Sequence, residues 1–520
     1  MNAGVSMSPC GVWMTPARPS PLGNLLVISY EKSAGLGVGT DQFWQIRQAG
    51  DCTSVLDVSE DPQFWPPLRD SLALPLNQVP RVEHDLSIDF VATDLEVFTV
   101  TATSVVITWI TRRPRNYRGV PAPVATDTQL KLGPVDGSLV LVYDDPTPRA
   151  FHYVEITGLE PGRSYRFEAF SAGKRPGPGL HVTREDFSPE RTHTFTTLVP
   201  PSGNYLGTVA LSNDIHVGEA RQGINLGPLP TSVRDEMGYR PYPEMMFSAM
   251  VDELRGAGHP FLVLNGDLTY DGSPDEVERV LNIANEYGAQ NVDWLMTRGN
   301  HDYPRPKADP FGERIAAYQK LQTVNLDWGL RILGIDSTKK SSGGWIIPEQ
   351  FAEISDELRR DPDRPTLSVC HHPSTNDAAW SSISGPGFML RAADRKRLQE
   401  LHLAAPGVFA HHTGHTHRMR LDKPDLPGAH TQYFENAACA AYPGGYALLH
   451  IFTGGYQLNF WRTHSPAAQR WTYRSRFQML GIGPRFMLGY TNDRNFVREF
   501  DFSGLKPSGQ ELPGYFKEAV

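Results

Sequence analysis

From residue 205 onward short apolar strands alternate with helical segments, with a polar loop after each strand. "YLGTVALSND" leads to a helix over 242–256, "FLVLNGD" to 274–287, and "VDWLMTRGN" to 312–322. "LRILGID" leads to 348–359 and "PTLSVCHHP" to 388–402, before a last strand in "GVFAHHTGH". Apolar strands separated by helices predict an α/β layered domain, β-sheets flanked by helices. In such sheets the reactive groups gather on loops at the carboxyl ends of the strands.

Those loops carry a consistent set of polar residues. The first strand ends in "SNDIHVG", with Asp214 and His216, and the second in "NGDLTYDG", with Asp267. The third ends in "TRGNHD", with Asn300, His301 and Asp302, and the fifth in "VCHHPS", with His371 and His372. The last ends in "GHTHR", with His415 and His417. Carboxylate and amide oxygens together with imidazole nitrogens, and no thiolate, suit Mn, Fe, Zn or Co. A shared carboxylate such as Asp267 can bridge two ions. Ions held ~3.5–4 Å apart stabilise both the attacking and the leaving oxygen of an in-line phosphoryl displacement, and a water bridging them is acidic enough to attack at neutral pH.

Upstream, 91–200 reads as short alternating strands ("FTVTATSVVITWIT", "TQLKLG", "LVLVYDD", "FHYVEITGL", "SYRFEAFSA", "RTHTFTTL"), the pattern of an antiparallel β-sandwich. "LVPPSGN" at 198–204 is a linker. With 520 residues, two or three domains are expected. The division is a β-containing region at 1–90, a sandwich at 91–200, the layered domain at 201–460 and an extension at 461–520. A net charge of −9 without a long basic run argues against nucleic acid as the main partner. No stretch reaches the ~18 apolar residues of a membrane span, so no membrane partner is expected. The N-terminus lacks a basic segment followed by an apolar core, so a cytoplasmic protein is expected. The four cysteines, at 10, 52, 370 and 439, form no CxxC pair and read as free thiols.

The ordered set D-x-H, G-D-x-x-[DY], G-N-H-[DE], H-x-P and G-H-x-H resembles the calcineurin-like metallophosphoesterase superfamily over roughly 205–460. "VVITWIT" with "YVEITGLEPGRSYRFEAF" resembles a fibronectin type III module, and the sandwich is similar in placement to the N-terminal domain of purple acid phosphatases. The resemblance implies two divalent or mixed-valence ions, one held by Asp214, His216, Asp267 and His417, the other by Asp267, Asn300, His371 and His415. It implies His301 as general acid or phosphate-oxygen donor, with Asp302 close enough to orient it. Purple acid phosphatases have D-x-G in the first motif and a ligating tyrosine in "GDxxY"; here Tyr270 occupies that place while His216 is also present. His216 is the preferred ligand, because "DIH" matches the cyclic-nucleotide-phosphodiesterase-like branch, which leaves Tyr270 either behind the ligands or facing the substrate.

Arg298, two positions before "GNHD", is read either as a clamp on the substrate phosphate or as a salt-bridging residue. His411 and His412 lie inside a strand and match no motif; one is expected in the core and one behind a ligand. The function expected is hydrolysis of a small phosphoric ester, diester or monoester. A binding or scaffold protein, or a nuclease, on the same fold are the alternatives. The completeness of all seven ligands speaks against the first, and the acidic balance against the second.

Overall fold

The computed structural model describes residues 82–514 apart from 115–119, 180–186, 224–231, 236–239, 479–480 and 482. It also describes the antiparallel pair Ile28–Ser29 and Gln45–Ile46. The other strand-like pieces of the region expected at 1–90, up to residue 81, and half of the stretch 218–241 that follows the first motif lie outside the described residues.

Two six-stranded sheets form the larger part of the molecule. In the first, the order is Trp294–Thr297, Phe261–Asn265, Tyr205–Ser212, Gly445–Phe452, Gly455–Arg462, Asn495–Glu499. In the second it is Gln322–Asn325, Arg331–Ile335, Thr366–Cys370, Val408–Thr413, Gln432–Glu435, Arg420–Asp422. The strands that carry the motifs pair in parallel within each sheet, and one core joins the sheets to the helices Tyr242–Gly256 and Pro274–Tyr287. The second of these helices shows why such a segment forms. Ser273 and Glu276 make a capping box that brackets Pro274, and Val277, Val280, Leu281, Ala284 and Tyr287 make one buried stripe.

Two helices are shorter than the sequence pattern predicts. The segment expected as helix over 312–322 stops at Arg314, because the carbonyls of Ile315 and Ala316 accept from the side chains of Gln290 and Arg298 instead of continuing the helical ladder. The segment expected over 388–402 is helical only over Ala392–Leu403; before it, Gly385 at φ 71° opens a single tight turn, Pro386–Phe388.

Ahead of these sheets, residues 91–196 build a three-stranded and a four-stranded antiparallel sheet around Leu95, Val97, Ile107, Trp109, Leu130, Val154 and Phe167. The second half of the strand Val91–Val100 is bound by Asn459, Phe460 and the C-terminal extension. Asn459 Nδ2 donates to the Val100 carbonyl (2.7 Å), Thr99 Oγ1 to the Phe460 carbonyl (2.7 Å), and Arg494 to the carbonyls of Phe98 (3.0 Å) and Val97 (2.8 Å). The buried Glu96 carboxylate receives Tyr442 Oη (2.7 Å), Arg462 Nη2 (2.7 Å) and Arg476. The C-terminal extension, whose part the sequence leaves open, is thus a polar seam between the two β-rich layers. Among the described residues no helix is long and apolar enough to cross a membrane.

Candidate metal centre

The carboxyl ends of the two large sheets are tied together by one amide. Asn265, the last residue of its strand, donates from Nδ2 to the carbonyls of Cys370 (2.9 Å) and His412 (3.1 Å), and accepts from Thr297 Oγ1 (2.7 Å). Its own carbonyl receives His371 Nδ1 (3.1 Å), which turns Nε2 of that ring towards Asp267.

Around this knot the residues singled out from the sequence converge. Among the described residues three groups have ligand-type atoms within 4.8 Å of one another: Asp214 with His216 and His417; His216 with Asp267 and His301; Asp267 with His371 and His415. His417 Nε2 lies 3.3 Å from Asp214 Oδ1, and His371 Nε2 lies 3.1 Å from Asp267 Oδ2. Asn300 Oδ1 and His415 Nε2 are buried without a hydrogen-bond partner. Leaving such atoms unpaired costs about 1–3 kcal/mol each. A cation bound among them offsets that cost, so the donor set fits divalent ions.

The electrostatics agree. Burial, helped by the charge of His301, pushes the His216 imidazole down to about 3, and burial with the charge of His371 does the same to His415. Both rings are therefore neutral at ordinary pH, with lone pairs to offer. Burial would also push His371 down, but the carboxylates of Asp267 and Asp214 outweigh it and lift the ring to about 9. The paired carboxylates thus draw positive charge to this point.

The backbone here is unusual in a way that no local pattern announces. Asp214 (φ 53°), His216 (φ 56°), Asp267 (φ 51°), His415 (φ 69°) and His417 (φ 55°) all adopt the left-handed region. For non-glycine residues such conformations cost of order 1–3 kcal/mol each and persist where surrounding structure holds them. Close approach adds a further demand at Gly299, where a Cβ would stand 2.2 Å from both N and Oδ1 of Asp267.

His301 joins the centre from the tight turn Asn300–Asp302. Its backbone N–H donates to Asp267 Oδ1 (2.8 Å), and its Nδ1 is bound to the Tyr270 carbonyl (2.7 Å), which leaves Nε2 facing inward. Asp302 does not hold the His301 ring. Its carboxylate accepts the backbone N–H groups of Leu268 (3.1 Å), Thr269 (2.8 Å) and Gly299 (2.9 Å) and the Thr269 hydroxyl (2.7 Å), locking two ligand loops together. The Tyr270 ring lies beside His301, with centroids 5.8 Å apart.

Arg298 is not available as a clamp on substrate. It is 1% exposed, its fork binds Asp309 at 2.8 and 2.9 Å, and it also donates to the carbonyls of Asp302 and Ala316. His411 is bonded to Ser368 Oγ (2.9 Å), and His412 stacks on Phe434. His372 packs against His415, its Nδ1 bound to Ser337 Oγ (2.8 Å).

Two further residues border the centre without belonging to any motif. Glu219 receives Tyr242 Oη (2.5 Å), and burial pushes its carboxyl up to about 7. Lys339 lies on the loop after Arg331–Ile335, the one motif-region strand whose end offered no recognisable cluster. A polar loop at the carboxyl end of a parallel strand was the signal available for it.

Residues 207–419 match the calcineurin-like phosphoesterase family. The chain carries a calcineurin-like metallophosphoesterase domain and is a phosphoric ester hydrolase. It is 27% identical over 211 residues to a probable cyclic nucleotide phosphodiesterase of Synechococcus, covering 35% of this chain and 73% of that protein. It is 28% identical over 120 residues to a glycerophosphodiester phosphodiesterase of Enterobacter lignolyticus, covering 22% and 41%. Among solved structures, a dimetal phosphatase from Danio rerio superposes with a TM-score of 0.39 at 13% identity, over 50% of this chain and 98% of that one.

Proposed function

We propose that the chain hydrolyses small phosphoric esters at a dinuclear centre held by Asp214, His216, Asp267 and His417 on one side and Asp267, Asn300, His371 and His415 on the other. The observation that carries this reading is the convergence of the three ligand groups through shared residues: Asp267 belongs to two of them and His216 to two. When bound, the two ions supply positive charge for the phosphoryl oxygens and lower the pKa of water.

The protein's own residues do the rest. Asp267 turns Oδ2 towards both His371 and His216 while Oδ1 accepts the His301 N–H, so the residues that would hold the ions and the acid are fixed to one carboxylate. With Nδ1 committed to the Tyr270 carbonyl, His301 holds its exchangeable proton at Nε2, where the departing ester oxygen takes it. Tyr270 lines the substrate side of that ring. Arg298 and Asp302 act as scaffold for the loops. The named relatives are phosphodiesterases, which favours a diester among the possible substrates. The preceding two sheets form a module of the fibronectin type III kind, and the chain divides at about residues 90, 200 and 460.

The test is hydrolysis of bis-p-nitrophenyl phosphate and p-nitrophenyl phosphate by metal-stripped protein reconstituted in turn with Mn, Fe, Zn and Co. Turnover that requires metal and is abolished in Asp267→Asn supports the reading. Metal-independent turnover overturns the metal-centred reading, and stoichiometric metal binding without turnover of either ester overturns the hydrolase in favour of a binding protein.

A further inference from the structure

The wall of the centre on the His371 and His415 side is built from two segments that no motif names. The first, 336–345, leaves the carboxyl end of Arg331–Ile335, the strand paired in parallel with the one that delivers His371. Ser337 Oγ binds His372 Nδ1, and a Cβ at Gly344 would meet the His372 ring at 2.6 Å, so this loop is pressed onto the histidine that packs against His415. The second, 385–391, is fastened to the first: Gly344 N–H donates to the Met389 carbonyl (3.0 Å) and Arg391 N–H to the Gly344 carbonyl (3.0 Å). It lays the Phe388 ring against His415, centroids 5.9 Å apart and planes inclined by 28°.

Lys339 stands in this wall. Its Nζ is 3.6 Å from the point a Cβ on Gly343 would occupy, and Gly343 in turn touches the Gly387 carbonyl of the second segment. The side chain is half-buried, and its charge reaches His372. The arginines on the neighbouring elements are all committed: Arg298 to Asp309, Arg391 to Asp394 and Arg418 to Glu435. Among the described residues Lys339 has no carboxylate within salt-bridge distance. An ammonium without a carboxylate partner, on the loop pressed against His372, is a compact point charge that favours the more highly charged of two phosphoryl groups.

We propose that Lys339 binds the phosphoryl group at this centre and favours one with two negative charges over one with a single charge. The ligand class is thus a phosphomonoester or inorganic phosphate, met either as substrate or as the product left by diester cleavage. This inference rests on the phosphoesterase reading above for its chemistry, while its test does not depend on turnover.

The experiment is calorimetric titration of the manganese-loaded full chain with inorganic phosphate and with dimethyl phosphate, using wild type, Lys339→Met and Lys339→Arg. Loss of one charge-assisted contact should weaken phosphate binding about tenfold in Lys339→Met while dimethyl phosphate changes by less than about twofold, and Lys339→Arg should restore most of the difference. Equal loss for both anions, no loss for either, or a wild type that binds neither would overturn the assignment. The nitrophenyl esters, run on the same samples, separate the two readings: selective phosphate binding without turnover of either ester keeps Lys339 as an anion site and removes the hydrolase. With turnover, a fall confined to the monoester identifies it as substrate, whereas relief of phosphate inhibition of diester cleavage identifies it as product.

Discussion

The Nε2 atoms of His216 and His417 lie 3.3 Å apart, 201 positions from each other in sequence, with Asp214 Oδ1 3.8 Å from the first and 3.3 Å from the second. Two imidazole nitrogens directed at one another beside a carboxylate describe a space shaped for a cation. Replacing His417 by Ala should therefore lower divalent metal affinity by at least about tenfold, a loss of the size seen when a metal's supporting residues are removed. Equilibrium dialysis against manganese or zinc measures this directly. Unchanged metal content in His417→Ala would remove that side of the centre.

Asp302 organises backbone rather than the His301 ring. Its removal leaves N–H groups of Leu268, Thr269 and Gly299 without their acceptor in a buried loop. Asp302→Ala should cost about 2–4 kcal/mol of stability, from several unpaired buried donors. Thermal unfolding would show the loss even in metal-free protein. A variant of unchanged Tm with a selectively altered pH profile would instead restore Asp302 as the partner of His301.

Arg298 tests the same distinction for a cation. Its two bonds to Asp309 use the planar fork, which lysine lacks. Arg298→Lys should therefore destabilise the fold, and Arg298→Ala should do so by about 3 kcal/mol or more because Asp309 and Asp336 lose their partner. KM for either nitrophenyl ester in the surviving folded fraction should stay within about twofold of wild type. A large rise in KM without loss of stability would return Arg298 to the substrate.

Glu96 gives the seam between the layers a pH dependence. Burial would push its carboxyl up, but the guanidiniums of Arg476 and Arg462 and the Tyr442 hydroxyl outweigh it and hold the group below its ordinary value. A folded value below the unfolded one means that the stabilisation is fully present above about pH 4.3 and is lost as pH falls through the folded value. Glu96→Gln should be less stable than wild type by about 3 kcal/mol or more at neutral pH, and the two should converge below about pH 4. Urea unfolding at a series of pH values follows the difference. A gap that stays constant down to about pH 3 would contradict the ion-pair account.

The alternation of apolar strands and helices determined the layered architecture, because burial periodicity is a local property that a strand or helix carries with it. Asp214, Asp267, His371 and His417 were legible for the same reason: each follows such a strand at the edge where loops gather. Helix ends were less legible. The helix over 312–322 was cut short by side chains of Gln290 and Arg298, which arrive from other elements and take its carbonyls. Arg298 itself reads from sequence as either clamp or salt bridge, and only the positions of Asp309 and Asp336 around it decide between them. Lys339 follows no motif, and its meaning depends on the parallel pairing that sets its loop beside His372. The left-handed backbone at five of the metal-ligand candidates belongs to this second category too. Nothing in "SNDIHVG" or "GHTHR" requires it. The packing of two sheets through Asn265 holds those residues there, since a strained backbone persists only where contacts distant in sequence leave it no alternative.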